Sequence, residues 1–135
     1  MTHACMTNNE IDSIPKIALP DKDGLSIYNV RNIILCKSNN SYTDFLIMND
    51  SGNKKDYYKK MVSRGIYHFE EYLLSTGYFF RVHNQYIINV NHLKRVIRNN
   101  GSYVVMDDNT NERIPIARAR KEDFFKYLKE KGIIL

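Results

Sequence analysis

Phe79-Phe80-Arg81-Val82-His83-Asn84-Gln85-Tyr86-Ile87-Ile88-Asn89-Val90-Asn91-His92-Leu93-Lys94-Arg95-Val96 is the stretch from which the fold is read. β-Branched and aromatic residues dominate it, as suits side chains packed on a pleated, half-buried surface. One strand is expected over Phe79 to Ile88 and another over Leu93 to Arg98, with Phe79, Val82, Tyr86, Ile88, Leu93 and Val96 as core residues. Arg81 and His83 alternate with Phe80 and Val82, so they share a face, and one of them is expected to brace the Asn84 loop.

On either side of this stretch the chain repeats one plan, short apolar bursts interrupted by turn-forming residues. Turns are read at Pro20 to Gly24, Ser38 to Ser41, Asn49 to Asn53, Asn99 to Ser102 and Asp107 to Asn111. The strands between them are placed at Ile17 to Leu19, Gly24 to Tyr28, Ile33 to Lys37, Thr43 to Met48, Asp56 to Val62, Tyr103 to Asp107 and Arg113 to Ile116. Two segments follow a helical period instead: Ile66, Phe69 and Leu73, and Phe124, Phe125 and Leu128. Gly132 suits a left-handed C-terminal cap, with Ile133 to Leu135 folding back onto apolar surface. Met1 to Pro15 has no period and is read as a flexible leader or linker remnant, leaving one domain over 16–135. The fold class is therefore mainly β, built of many short strands, with a short internal helix and a C-terminal helix.

Lys and Arg outnumber Asp and Glu by 20 to 15, for a net charge of +5 and a pI near 9.2. That balance favours a polyanionic partner, although a solvated, charged surface accounts for it equally well. The distribution says more. No acidic residue lies between Glu71 and Asp107, where Arg81, His83, His92, Lys94, Arg95 and Arg98 all fall; Lys54, Lys55, Lys59, Lys60 and Arg64 form a second basic group.

Several function classes are excluded on residue types. There is no Walker or dinucleotide glycine fingerprint, no helical histidine pair around a Glu and no nucleophile elbow. The histidines His3, His68, His83 and His92 lack partners at ligand spacing, so no metal and no cofactor are expected. Glu70-Glu71 and Asp107-Asp108 are sequence neighbours pointing to different faces, not an acid and base pair. Cys5 and Cys36 form neither a disulfide scaffold nor a zinc cluster, which points to a reducing cytoplasm. No apolar run approaches the roughly 20 residues that span a bilayer. The chain is expected not to be an enzyme.

The Phe79 to Val96 stretch resembles the most recognisable segment of the LytTR domain, a Phe-Phe-Arg-apolar-His run leading into Tyr, two apolar residues and Asn. Upstream, Ile33-Ile34-Leu35-Cys36-Lys37-Ser38-Asn39-Asn40-Ser41-Tyr42 is similar to that family's strand and polar-loop element. Downstream, Arg113-Ile114-Pro115-Ile116-Ala117-Arg118-Ala119-Arg120 is similar to its apolar-Pro-apolar-Ser-Arg-Arg element. The three occur in family order, and the resemblance covers roughly Ile17 to Leu128. Ala117 stands where the family has Ser, and the Arg pair is spread around Ala119.

The resemblance implies small stacked antiparallel sheets that read double-stranded DNA through loops in the major groove, as a bacterial transcriptional regulator. It further implies binding to direct repeats, with a homodimer on DNA, and either an excised output domain of a response regulator or a stand-alone regulator. Asn84 falls at the family's base-contacting loop position, and its carboxamide offers the donor and acceptor that adenine requires; an Asn capping its own turn is the competing reading. Arg118 is assigned to a guanine edge, and Tyr42 to base or backbone through its hydroxyl, against a ring packed on the sheet. Lys37, Asn39, Asn40, Ser41, Gln85, Arg120 and Lys121 are assigned to phosphate or supporting contacts. If the third element stays extended, Arg118 and Arg120 share one face. Two other classes remain open: a single-stranded RNA-binding β-barrel, which the 10 tyrosines would suit, and a protein-interaction module that merely looks basic.

Overall fold

The structure is a computed structural model and describes residues 14–51 and 54–133. β1 (Lys16–Asp21) and β2 (Gly24–Asn29) form a hairpin that stands as its own two-stranded sheet. β3 (Ile33–Asn39), β4 (Tyr42–Ser51), β5 (Lys54–Val62), β6 (Phe79–His83) and β7 (Tyr86–Asn89) form an antiparallel sheet in the order β5-β4-β3-β7-β6. β8 (Leu93–Ile97), β9 (Tyr103–Met106) and β10 (Ile114–Pro115) make a third sheet, ordered β10-β9-β8. Helix α1 (Tyr67–Ser75) precedes β6, and α2 (Lys121–Glu130) follows the last strand. The leader expected over 1–15 lies outside the described residues as far as 13; beyond it, the main-chain oxygen of Pro15 accepts from Val30 N at 3.0 Å.

The five-stranded sheet is covered on both faces, and this explains its sequence. One face carries Cys36, Phe45, Ile47 and Ile87, packed with Ile17 and Leu19 of β1 and with Ile66, Phe69 and Leu73 around α1. The opposite face carries Leu35, Tyr86 and Ile88, packed with Val104, Met106 and Ile114 of the small sheet and with Phe124 and Leu128 of α2. A strand buried on both faces has no solvent side on which to alternate, so Ile33 to Cys36 and Tyr86 to Asn89 are buried throughout. Asn89, the polar member, is fully buried. Its Nδ2 donates to Ile33 O at 3.0 Å and to Val30 O at 3.4 Å, and its Oδ1 accepts from Asn91 N at 3.0 Å.

Two strand expectations are corrected. Phe79 to Ile88 is not one strand but two, joined by a turn at Asn84-Gln85, with the register shifting between Arg81 and His83. The expected strand from Arg113 to Ile116 contracts to Ile114–Pro115, since Pro115 has no N–H to extend the ladder, and Arg118–Arg120 forms a 3-10 turn. The C-terminal cap is as expected at Gly132, while Ile134 and Leu135, expected to fold back with Ile133, lie outside the described residues. Gly132 has φ +83°, Gly132 N donates to Lys129 O at 3.0 Å and Ile133 N to Leu128 O at 2.9 Å, the Schellman pairing, with Ile133 against the core.

Candidate nucleic-acid interface

Antiparallel pairing brings the loops to one end of the large sheet. The β3–β4 connection is a two-residue loop, Asn40-Ser41, in which Asn40 takes the left-handed conformation (φ +57°) that Asn tolerates. Because Lys37 pairs with Tyr86, this loop lies beside the Asn84-Gln85 turn, and Ser38 N donates to Gln85 O at 2.8 Å. The third segment is docked by Ala117 N, which donates to Val82 O at 2.8 Å. Residues 38–42, 84–85 and 117–121, far apart in the chain, therefore meet.

Asn84 and Gln85 are exposed, and the turn that carries them is held from beneath. Arg81 is only 4% exposed, yet it donates from Nη2 to Asn84 O (2.5 Å) and from Nε to His83 O (3.3 Å). Its Nη1 forms an ion pair with Glu70 of α1, and its guanidinium carbon lies 4.9 Å from the centroid of the Tyr67 ring. Arg81 is thus the bracing residue of the pair expected from sequence. His83 also helps, its Nδ1 accepting from Gln85 N at 3.1 Å, so its ring proton belongs on Nε2.

The arginines of the third segment diverge. A 3-10 turn sends residues two apart in different directions, so the shared face expected of an extended strand is absent. Arg120 reaches the Asn84 turn, with Nη2 3.4 Å from Asn84 Oδ1 and Nη1 3.5 Å from Arg81 O. The Asn84 side-chain oxygen is thereby engaged by Arg120 rather than by its own turn. Arg118, which is exposed, instead lines a shallow hollow with Gly101, Ser102, Ile116 and Lys121.

On the other flank, Tyr42 is 42% exposed and pairs with Asn39, whose Nδ2 donates to Asp44 Oδ2 at 3.3 Å. The exposed Lys37 holds its ammonium 5.7 Å from the Tyr86 ring centroid. Three contributors here were given no role at this site by sequence reasoning. Glu70 neutralises Arg81 across 11 residues of chain, a relation no local spacing reveals. Arg64 is exposed beside β4, because Thr43 Oγ1 donates to its main-chain oxygen at 2.7 Å; the run of basic residues before it was the available signal. Tyr67, 77% exposed, stacks against Arg81 without any pattern to mark it.

Among the described residues, no helix is long and apolar enough to cross a membrane. The family profile described as LytTr DNA-binding domain matches residues 23–129. Among solved structures, the chain is similar to the LytTr DNA-binding domain of a protein from Bacillus cereus described as a methyl-accepting/DNA response regulator. The two share 23% identity with a TM-score of 0.57, over 84% of this chain and 95% of that one. No curated protein matches the sequence.

Proposed function

The chain belongs to the LytTr DNA-binding domain family, whose members are DNA-binding domains of transcriptional regulators, and we propose that it reads a specific double-stranded sequence through the three converging loops. The observation that carries this reading is the convergence itself: segments 38–42, 84–85 and 117–121 form one mostly exposed, polar end whose charged side chains, Arg118, Arg120 and Lys121, are all cationic. In this account the loops enter the major groove, where base edges carry a distinguishable donor and acceptor pattern. Asn84 reads adenine, with Arg120 orienting its carboxamide, and Arg118 reads guanine from the other side of the turn. Tyr42 adds a hydroxyl. Lys37, Asn39, Asn40, Ser41, Gln85, Arg120 and Lys121 hold phosphates or support the loops, fixing register without reading sequence.

Affinity then comes largely from phosphate neutralisation and discrimination from a few base contacts. Two copies occupy a direct repeat, and the protein acts on cytoplasmic DNA as a bacterial transcriptional regulator, in the manner of a response-regulator output domain. Selection from a random duplex library at about 0.15 M salt, where weak phosphate attraction is screened, tests the proposal. It predicts enrichment of a short motif as a spaced direct repeat. No enrichment, with single-stranded RNA bound more tightly than duplex, would replace it with the stacking-platform alternative.

A further inference from the structure

Beside the DNA-reading end, on the face of the large sheet that meets the small one, a cleft of about 210 Å³ opens beneath the loop between β9 and β10. Its floor is a row of cross-strand neighbours: Tyr86 pairs with Lys37, and Lys37 with Asp44. Leu35 and Leu46, paired in the adjoining row, add apolar wall, while Asp108, Thr110 and Glu112 come down from the loop. Of the DNA residues proposed above, the cleft shares only Lys37.

Asp44 makes this cleft more than a gap. It is only 6% exposed, its Oδ2 accepts from Asn39, and its Oδ1 is buried with no hydrogen-bond partner. A buried carboxylate oxygen strongly favours a charged donor. Lys37 stands directly across the strand, but its ammonium is turned toward the Tyr86 ring. Asp108 Oδ1, by contrast, is already satisfied, accepting from Thr110 N (3.0 Å) and Thr110 Oγ1 (2.7 Å). Three carboxylates against the two ammonium groups of Lys37 and Lys59 leave the lining net negative, beside the apolar surface of Leu35, Leu46 and Tyr86.

We propose that this cleft binds a small organic ammonium ion, a primary amine on a short apolar body, with the amine donating to the Asp44 carboxylate and the body against Leu35, Leu46 and Tyr86. The volume is below the range of about 300 Å³ and upward that drug-sized ligands fill, which sets the ligand at fragment size. Benzylamine is the probe, at pH 7 where the amine carries its proton, titrated into the full chain and followed by amide chemical shifts, with benzyl alcohol as the neutral control. The expected result is saturable shifts centred on Lys37, Asp44, Tyr86 and Thr110, absent with the alcohol. Binding should weaken about tenfold or more in Asp44→Asn, as loss of a charge-assisted bond implies. Glu112→Lys, on the exposed rim, should weaken binding in the same direction and decides the matter if Asp44→Asn does not fold. No saturation at millimolar amine would mean that Lys37 itself closes the carboxylate, and would overturn the proposal. Shifts equal for amine and alcohol, or unaffected by both substitutions, would do the same.

Discussion

Arg81 Nη2 lies 2.5 Å from the main-chain oxygen of Asn84, while Nη1 of the same guanidinium is paired with Glu70, so the loop tip and α1 are held by one buried side chain. Lysine cannot reproduce this, because a single ammonium lacks the planar fork that reaches His83 O, Asn84 O and Glu70 at once.

Arg81→Lys should therefore lower stability by about 1–3 kcal/mol, the scale of leaving a buried hydrogen-bonding group without its partner. The ion pair adds less than a buried pair would, because Glu70 is 27% exposed. Urea denaturation measures the effect, and a midpoint equal to wild type would show that the brace contributes nothing.

Lys121 is exposed at the start of α2 and touches no base in this account. Lys121→Ala should reduce the slope of log Kobs against log salt by roughly 0.9, the value of one phosphate contact, and weaken all duplexes alike. A lowered preference for the selected site with an unchanged slope would assign Lys121 to a base instead.

Cys36 is fully buried, and burial pushes its thiol well above the ordinary thiol range. Only the thiolate is nucleophilic, so in a Cys5→Ser background the native protein should resist alkylation that the urea-unfolded chain undergoes readily. The native thiol keeps its proton where the unfolded one loses it. Stability contributed by this group is thus complete below the unfolded pKa, about 8.5, and declines as pH rises beyond it. Stability that increased from pH 8 to pH 10 in Cys36→Ser-corrected measurements would contradict this.

Asn89 ties β7 to β3 and to the turn before it. Asn89→Ala strands two carbonyl groups and the Asn91 N–H, and should cost about 2–3 kcal/mol by thermal or chemical denaturation. A loss no greater than that of an exposed Asn→Ala change would mean the groups find other partners.

The strand-rich architecture was legible because turn residues punctuate the chain at short intervals, and the two helices because Phe69 and Leu73, and Phe124 and Leu128, recur at helical spacing and are buried. Within Phe79 to Ile88 the break was marked only by the polar run His83-Asn84-Gln85, too short to end a strand by composition even though the resemblance put Asn84 on a loop, and the register shift after Arg81 leaves no compositional trace. The third element misled for a related reason: Ile114 to Ile116 look extended, but nothing in Ala117-Arg118-Ala119-Arg120 specifies a strand over a 3-10 turn until Ala117 N docks on Val82 O. Asp44 was invisible as well. An Asp in an alternating strand reads as solvent-facing, and only the loop carrying Asp108 and Thr110, more than 60 positions away, covers it.

The central claim is that three loops at one end of the sheet read sequence, with Asn84 at the middle. The most direct test compares wild type, Asn84→Ala and Arg118→Ala on the selected duplex and on a scrambled duplex of equal length at fixed salt. Each substitution should remove about 1–3 kcal/mol of discrimination while affinity for the scrambled duplex stays near that of wild type. Equal losses on both duplexes would contradict the account, because Asn84 and Arg118 would then be holding the backbone rather than reading bases.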